Sequence, residues 1–200
     1  MSKLIHGVGI SEDGEFKRYN RVGGKYVGTR EYKLWVSMLQ RCYSDECQKK
    51  HPTYVGCTVS EDFKYFQKFA KWCQSQVGFG LEGYHIDKDV LFLGNKIYSE
   101  DSCVFVPSNI NALLTKREAQ RGEFPVGVSW IKNAQKYLAR CSDGSGKQKR
   151  LGRFTTPEEA FVTYKTFKEA LIKQLANKYQ SVIDTRVYEA LMAYTVSIND

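Results

Sequence analysis

Two hundred residues suffice for one ordinary domain or two small ones, and 42% apolar with 14% aromatic residues argues for packed cores against wholesale disorder. The formal charge of +8 favours a polyanionic partner, nucleic acid first and an anionic membrane surface second. No apolar run is long enough to span a bilayer and residues 1–25 carry no signal-peptide core, so the chain reads as cytoplasmic.

The first thirty residues read as an irregular arm in which "RVGGKYVG" (21–28) is a hairpin or loop. "REYKLWVSMLQRCY" (30–43) places Leu34, Trp35, Met38, Leu39 and Cys42 at helical spacing, a core-facing stripe. The polar interval 44–59, broken by Pro52 and Gly56, reads as loop. "SEDFKYFQKFAKWCQSQ" (60–76) predicts a helix capped by Ser60, with Phe63, Phe66, Phe69, Ala70 and Cys73 inward. The period then changes. "YHIDKDVLFLG" and "CVFVP" predict two short antiparallel strands around a turn, and "PSNINALLTKREAQR" (107–121) a helix. A composition break at "QRGEFP" (120–125) suggests a boundary between 1–120 and 121–200.

Beyond it, 126–143 and 147–154 read as strands about the turn "DGSG". "TPEEAFVTYKTFKEALIKQLANKY" (156–179) is the clearest helix, with Thr156 as N-cap, Pro157 in the first turn and Glu159 completing a capping box. Phe161, Tyr164, Phe167 or Lys168, Leu171, Leu175 and Tyr179 run along one side. Residues 186–194 form a terminal helix. The fold class is therefore α+β: a helical lead-in and a strand–strand–helix segment, then a three-stranded antiparallel sheet packed on one long helix.

Six cysteines, at 42, 47, 57, 73, 103 and 141, form no C-x-x-C pair and are expected as free thiols in a reducing compartment. Cys42, Cys47, His51 and Cys57 share one short segment, which raises structural Zn²⁺. Their spacing is irregular, and buried thiols that bind nothing are the commoner case.

Between Arg121 and Thr156 stand eight Lys and Arg against two acids, most of the chain's excess charge. Alternation puts Tyr137, Ala139 and Cys141 on one face and Lys136, Leu138 and Arg140 on the other. The long helix needs the apolar face. Lys136 and Arg140 then face away, joined by Arg150 and Lys132, with Trp130 or Ile131 among them. A solvated face is the bland alternative; the single sign of the charges favours nucleic acid.

These residues carry a resemblance. "GVSW…KYLARCSD…KRLGRFTTPEEAFVTYKTFKE" resembles the DNA-binding domain of the APETALA-two/ethylene-response-factor type over about sixty residues. Gly127, Val128, Leu151, Gly152, Phe154, Thr156, Glu158, Glu159 and Ala160 match its pattern in order. The resemblance implies that the exposed sheet face enters the DNA major groove. The matching positions are Ser129, Ile131, Arg140, Ser142, Gln148 and Arg150, several of which depart from the family's Arg and Trp types. Arg140 and Arg150 are the base-reading candidates, and Lys132, Lys136, Lys149 and Arg153 the phosphate contacts.

"HIDKDVLFLGNKIYSEDSCVFVPSNIN" (85–111) resembles the HNH (ββα-metal) endonucleases, a group found in phage genomes beside APETALA-two-like domains. The likeness implies Mg²⁺ held by Asp87 with Asn111 or Asn109, and Asn95 orienting a general base. At the base position stands Lys88, an amine protonated at neutral pH in ordinary surroundings. His85 is the other candidate, as base or ligand. Against this stands a plain Asp-Lys-Asp turn held by ion pairs. The expectation is a phage-type double-stranded-DNA-binding protein, acting in the host cytoplasm, with cleavage lost or weakened. The alternative is a non-enzymatic regulator, or an inhibitor that docks on a host defence protein.

Overall fold

The computed structural model describes residues 4–114 and 123–198. They divide into two compact units, Met1–Phe105 and Val106–Asp200. The expected composition break at 120–125 lies partly outside the described residues.

In the first unit a hairpin of β1 (Tyr19–Val22) and β2 (Lys25–Gly28) leads into α1 (Arg30–Tyr43). Thr29 caps α1 by accepting the Tyr32 N–H, and Glu31 sits favourably in the first turn. The helical stripe is as read: Trp35, Met38, Leu39 and Cys42 are buried, with Leu34 half-buried beside them. Residues 44–59 are more ordered than a loop. Ser44 accepts the Cys47 N–H and starts a short helix, α2 (Asp45–Lys50), with acids at its start and lysines at its end. A 3₁₀ turn at Pro52–Tyr54 and a two-residue strand, β3 (Thr58–Val59), follow.

The helix expected to follow a Ser60 cap begins five residues late. Ile10 donates to the Lys64 carbonyl and accepts the Phe66 N–H, so the backbone at 64–66 is committed to a strand-like bridge. Ser60 caps only the 3₁₀ turn Asp62–Lys64, accepting the Phe63 N–H, and α3 runs Phe66–Ser75. Its Phe66, Phe69, Ala70 and Cys73 meet the α1 stripe, and Trp35 donates its indole N–H to the Phe63 carbonyl at 2.8 Å. Each large apolar side chain so buried contributes about 1.5–3 kcal/mol.

Then come β4 (Tyr84–Asp87), β5 (Ile97–Tyr98) and β6 (Val104–Pro107). β4 pairs with β6, while β5 runs parallel to β3, a pairing the sequence reading did not contain. The apolar run Val90–Leu93 does not continue β4. The chain turns at Asp87, and Phe92 and Leu93 are exposed.

In the second unit α4 (Ser108–Leu114) precedes a sheet of β7 (Val128–Ile131), β8 (Lys136–Ser142) and β9 (Gln148–Phe154). The rest of the expected 107–121 helix falls outside the described residues. β8 lies in the middle, antiparallel to both neighbours. α5 (Pro157–Tyr179) lies across the sheet and α6 (Thr185–Ala193) packs on α5. The capping box of α5 is complete: Thr156 accepts the Glu159 N–H, and the Glu159 carboxylate accepts the Thr156 N–H.

Gly127 shows why this packing needs a glycine. Its φ is +78°, and a Cβ there would stand 2.1 Å from the Tyr164 ring. The buried line of α5 is Ala160, Phe161, Tyr164, Lys168, Ile172 and Ala176, so Leu171 and Leu175 sit at its margin rather than at its centre. Lys168 is tolerated in that line because its ammonium donates to the Leu113 carbonyl at the end of α4. Burial still holds its pKa below the usual lysine value.

Candidate nucleic-acid interface and the HNH-like loop

Side chains alternate across a strand, and directly opposed residues share a face. Ala139 and Cys141 are buried on the helix side. Lys136, Leu138, Arg140 and Ser142 therefore line the open face of β8. Register brings their partners with them: Ile131 opposite Lys136, Ser129 and Arg153 opposite Leu138, Arg150 opposite Arg140, and Gln148 opposite Ser142. The six positions selected by the ethylene-response-factor resemblance thus share one face.

Charge on this face is single-signed. Arg140 and Arg150 are exposed and directly opposed, a like-charge pairing that costs up to about 1 kcal/mol. Among the described residues, no carboxylate lies within ion-pairing distance of Lys136, Arg140, Arg150 or Arg153. Lys132 is exposed in the 3₁₀ turn Lys132–Ala134 that joins β7 to β8. The neighbouring acid, Asp143, turns inward on its own loop. Its Oδ1 accepts the Ser145 hydroxyl and N–H, which holds its pKa below the ordinary carboxylate range.

Two expected members lie elsewhere. Lys149 is opposite Cys141, on the helix side, with its ammonium 4.9 Å from the centre of the Phe167 ring. Adjacent strand residues point to opposite faces, so Lys149 cannot share one with Arg150. The pairing shift between Ala139 and Arg140, with Leu151 extra in β9, is what brings Arg153 to the open face beside Arg150. Trp130, opposite Tyr137 with ring centres 4.7 Å apart, is also on that side, so Ile131 rather than Trp130 joins Leu138 as an apolar residue of the open face.

The HNH-like segment is arranged around Lys88, whose side chain is only 7% exposed. Its ammonium donates to both Asp89 carboxylate oxygens, at 2.8 and 2.7 Å, and to the Asn95 carbonyl at 2.6 Å. It also lies 5.7 Å from the centre of the Tyr98 ring. An ammonium has three N–H groups, and all three have partners. Asn95 is a clip across the loop. Its amide donates to the Lys88 and Ile97 carbonyls, while its oxygen accepts the Ile97 N–H.

Asp87 Oδ1 accepts the Asp89 and Val90 N–H groups, both at 2.7 Å, which fixes the turn after β4. Burial raises the Asp87 pKa above the ordinary carboxylate value, and those two N–H groups partly oppose the shift. His85 is exposed on β4. Asn111 and Asn109 belong to α4 in the second unit, where Asn109 donates to the Tyr179 hydroxyl at 3.1 Å.

A divalent cation fits this donor set poorly. Mg²⁺ wants several unencumbered oxygens, whereas Asp87 has its Oδ1 engaged by two N–H groups and the buried Lys88 as its chain neighbour. Among the described residues no group of three or more His, Cys, Asp or Glu side chains could hold a metal. Of the residues considered for zinc, Cys42 and Cys57 are buried, Cys47 is half-buried and His51 is exposed. Burial pushes the Cys42 thiol up to about 12.

The sequence reading passed over Arg21 and Lys25, exposed on the β1–β2 hairpin. The signal was there: five basic residues and no acid between Phe16 and Arg30, around a Gly-Gly turn. A scan of protein-family models found no matching family, and searches of curated proteins and of solved structures found no match.

Proposed function

We propose that the chain is a double-stranded-DNA-binding protein that reads DNA through the open face of β7–β8–β9, and that its HNH-like segment supports the fold with cleavage absent or feeble. The observation that carries this is the Arg140–Arg150 pair. Two exposed guanidinium groups stand opposite each other, flanked by Lys136 and Arg153, with no carboxylate among the described residues paired to them. An arrangement that costs stability persists where a phosphate backbone supplies the missing charge. Arginine's planar fork suits base edges as well as phosphates.

Support for feeble cleavage comes from the loop. A general base needs a free lone pair near the attacked bond. The Lys88 ammonium has none, and Asp87 Oδ1 and the Asn95 side-chain oxygen are taken up by backbone N–H groups. A second reading, a regulator that docks on another protein, draws on Phe92 and Leu93. These are 58% and 64% exposed at the tip of the loop that Lys88 pins.

The test is a pair of assays on the intact chain. Gel shift with random-sequence duplex DNA should show binding at low salt, and a supercoiled-plasmid assay in Mg²⁺ or Mn²⁺ should show no nicking. Absence of any shift at low salt contradicts the DNA reading. Metal-dependent nicking that His85→Ala abolishes contradicts the loss of cleavage and makes His85 the base.

A further inference from the structure

We infer that the β1–β2 hairpin is a second DNA-contacting element, a two-stranded ribbon that enters a groove of duplex DNA. The inference rests on the DNA-binding reading but on different residues. Every hairpin residue except Gly28 is exposed, including Val22 at 61% and Tyr26 at 78%. An isolated two-stranded hairpin is marginal in water, and two open edges invite unwanted pairing.

This one is nonetheless well defined. Gly23 and Gly24 have φ of +55° and +81°, the positive values required by a tight two-residue turn that matches strand twist. Its base is rooted on α1. The Thr29 N–H donates to the Arg18 carbonyl at 2.9 Å, the Thr29 hydroxyl to the Lys17 carbonyl at 3.0 Å, and Tyr19 rests 5.1 Å from the Tyr32 ring.

Charge selects the occupant. Of the five basic residues between Phe16 and Arg30, Arg18 is tied to Asp13 and the Ser11 carbonyl, and Arg30 to the Leu81 carbonyl and the Phe79 ring. Arg21 and Lys25 are exposed with no ion pair among the described residues. Register puts Tyr19, Arg21 and Tyr26 on one side of the ribbon and Val22, Lys25 and Val27 on the other. A ribbon two strands wide fits the major groove, about 12 Å across, with cations toward the phosphate walls. Strand addition by another protein would use the open edges and would not require a single-signed ribbon.

The experiment measures binding of the full chain to a random-sequence duplex by fluorescence anisotropy, between ~50 and ~200 mM salt. Arg21→Ala/Lys25→Ala should weaken binding roughly tenfold or more and reduce the salt slope by about two. Tyr26→Ala should weaken it with the slope unchanged. Thermal unfolding should match wild type in both, since the hairpin tip contributes nothing to the core. Wild-type affinity and slope in Arg21→Ala/Lys25→Ala, while Arg140→Ala still weakens binding, would overturn the hairpin assignment and leave the sheet reading standing. No duplex binding by wild type would overturn both. Hairpin variants that lose self-association but keep duplex affinity would assign the ribbon to strand pairing instead.

Discussion

Lys88 in the first unit and the Arg140–Arg150 pair in the second are cations in opposite circumstances. The Lys88 ammonium is buried, and each of its three N–H groups ends on an oxygen of its own loop. Arg140 and Arg150 are exposed and face each other across a ladder. A cation whose partners are all internal holds structure. One whose nearest cross-strand neighbour repels it points to a partner outside the chain. The same contrast divides the two segments: around Lys88 the polar groups are spent on one another, while the open face of the sheet carries unpaired cations among the described residues.

The sharpest way to break the comparison is at the arginines. Arg140→Ala and Arg150→Ala should each lower duplex affinity by about 1–3 kcal/mol and relax sequence preference. Arg140→Glu should lower it further while stabilising the fold by a few tenths of a kcal/mol to about 1, because it converts a like-charge pair into an ion pair. Anisotropy titration and thermal melting of the same samples check both signs. A melting point that falls in Arg140→Glu would mean that the pair is not strained.

Lys88 should respond the other way. Lys88→Ala leaves the Asn95 carbonyl without its donor and should cost about 1–3 kcal/mol of stability in chemical denaturation, with the affinity of the folded protein for DNA unchanged. Lys88→His cannot reach three acceptors and should destabilise the loop without conferring nicking.

Protonation separates the units next. Asp87, with its pKa raised by burial, binds its proton more tightly folded than unfolded. Its contribution to stability therefore grows as pH falls through the window from its raised folded value toward the ordinary value near ~4. Glu159 behaves oppositely. The Thr155 hydroxyl and the Thr156 N–H hold its pKa low, so its contribution is present above the ordinary glutamate value and lost as pH falls through the folded one. Denaturation curves against pH should show Asp87→Asn removing a stabilisation on acidification and Glu159→Gln removing a destabilisation. Equal slopes in either variant and wild type would refute that assignment.

The smallest effect belongs to Lys149. Lys149→Ala should leave DNA affinity unchanged and cost only about 0.5–1 kcal/mol of stability through its lost contact with Phe167.

What the sequence disclosed follows from how local each signal is. The α1 stripe and the α5 capping box depend on neighbours three or four residues apart, and both stand where they were read. The start of α3 depends on Ile10, more than fifty residues away, and no local pattern at Ser60 contains it. Alternation placed Lys136 and Arg140 correctly because β8 is regular. The same rule separates Lys149 from Arg150, which the grouping of both as DNA contacts overlooked. It could not put Arg153 beside Arg150, because an extra residue in β9 shows only once two strands are paired. The Asp-Lys-Asp ion-pair reading of the nuclease-like segment anticipated the Lys88–Asp89 contact. The Asn95 carbonyl that completes the coordination is a backbone group and leaves no mark in sequence.

The central claim is most directly tested by the salt dependence of duplex binding in wild type and in a variant with Lys136, Arg140, Arg150 and Arg153 changed to Ser. Wild-type affinity should fall by orders of magnitude between ~50 and ~200 mM salt, and the variant's log–log slope should be shallower by about three to four, one condensed counterion for each lost phosphate contact. A flat wild-type response, or a variant whose slope matches wild type, would contradict the assignment of the open sheet face to DNA.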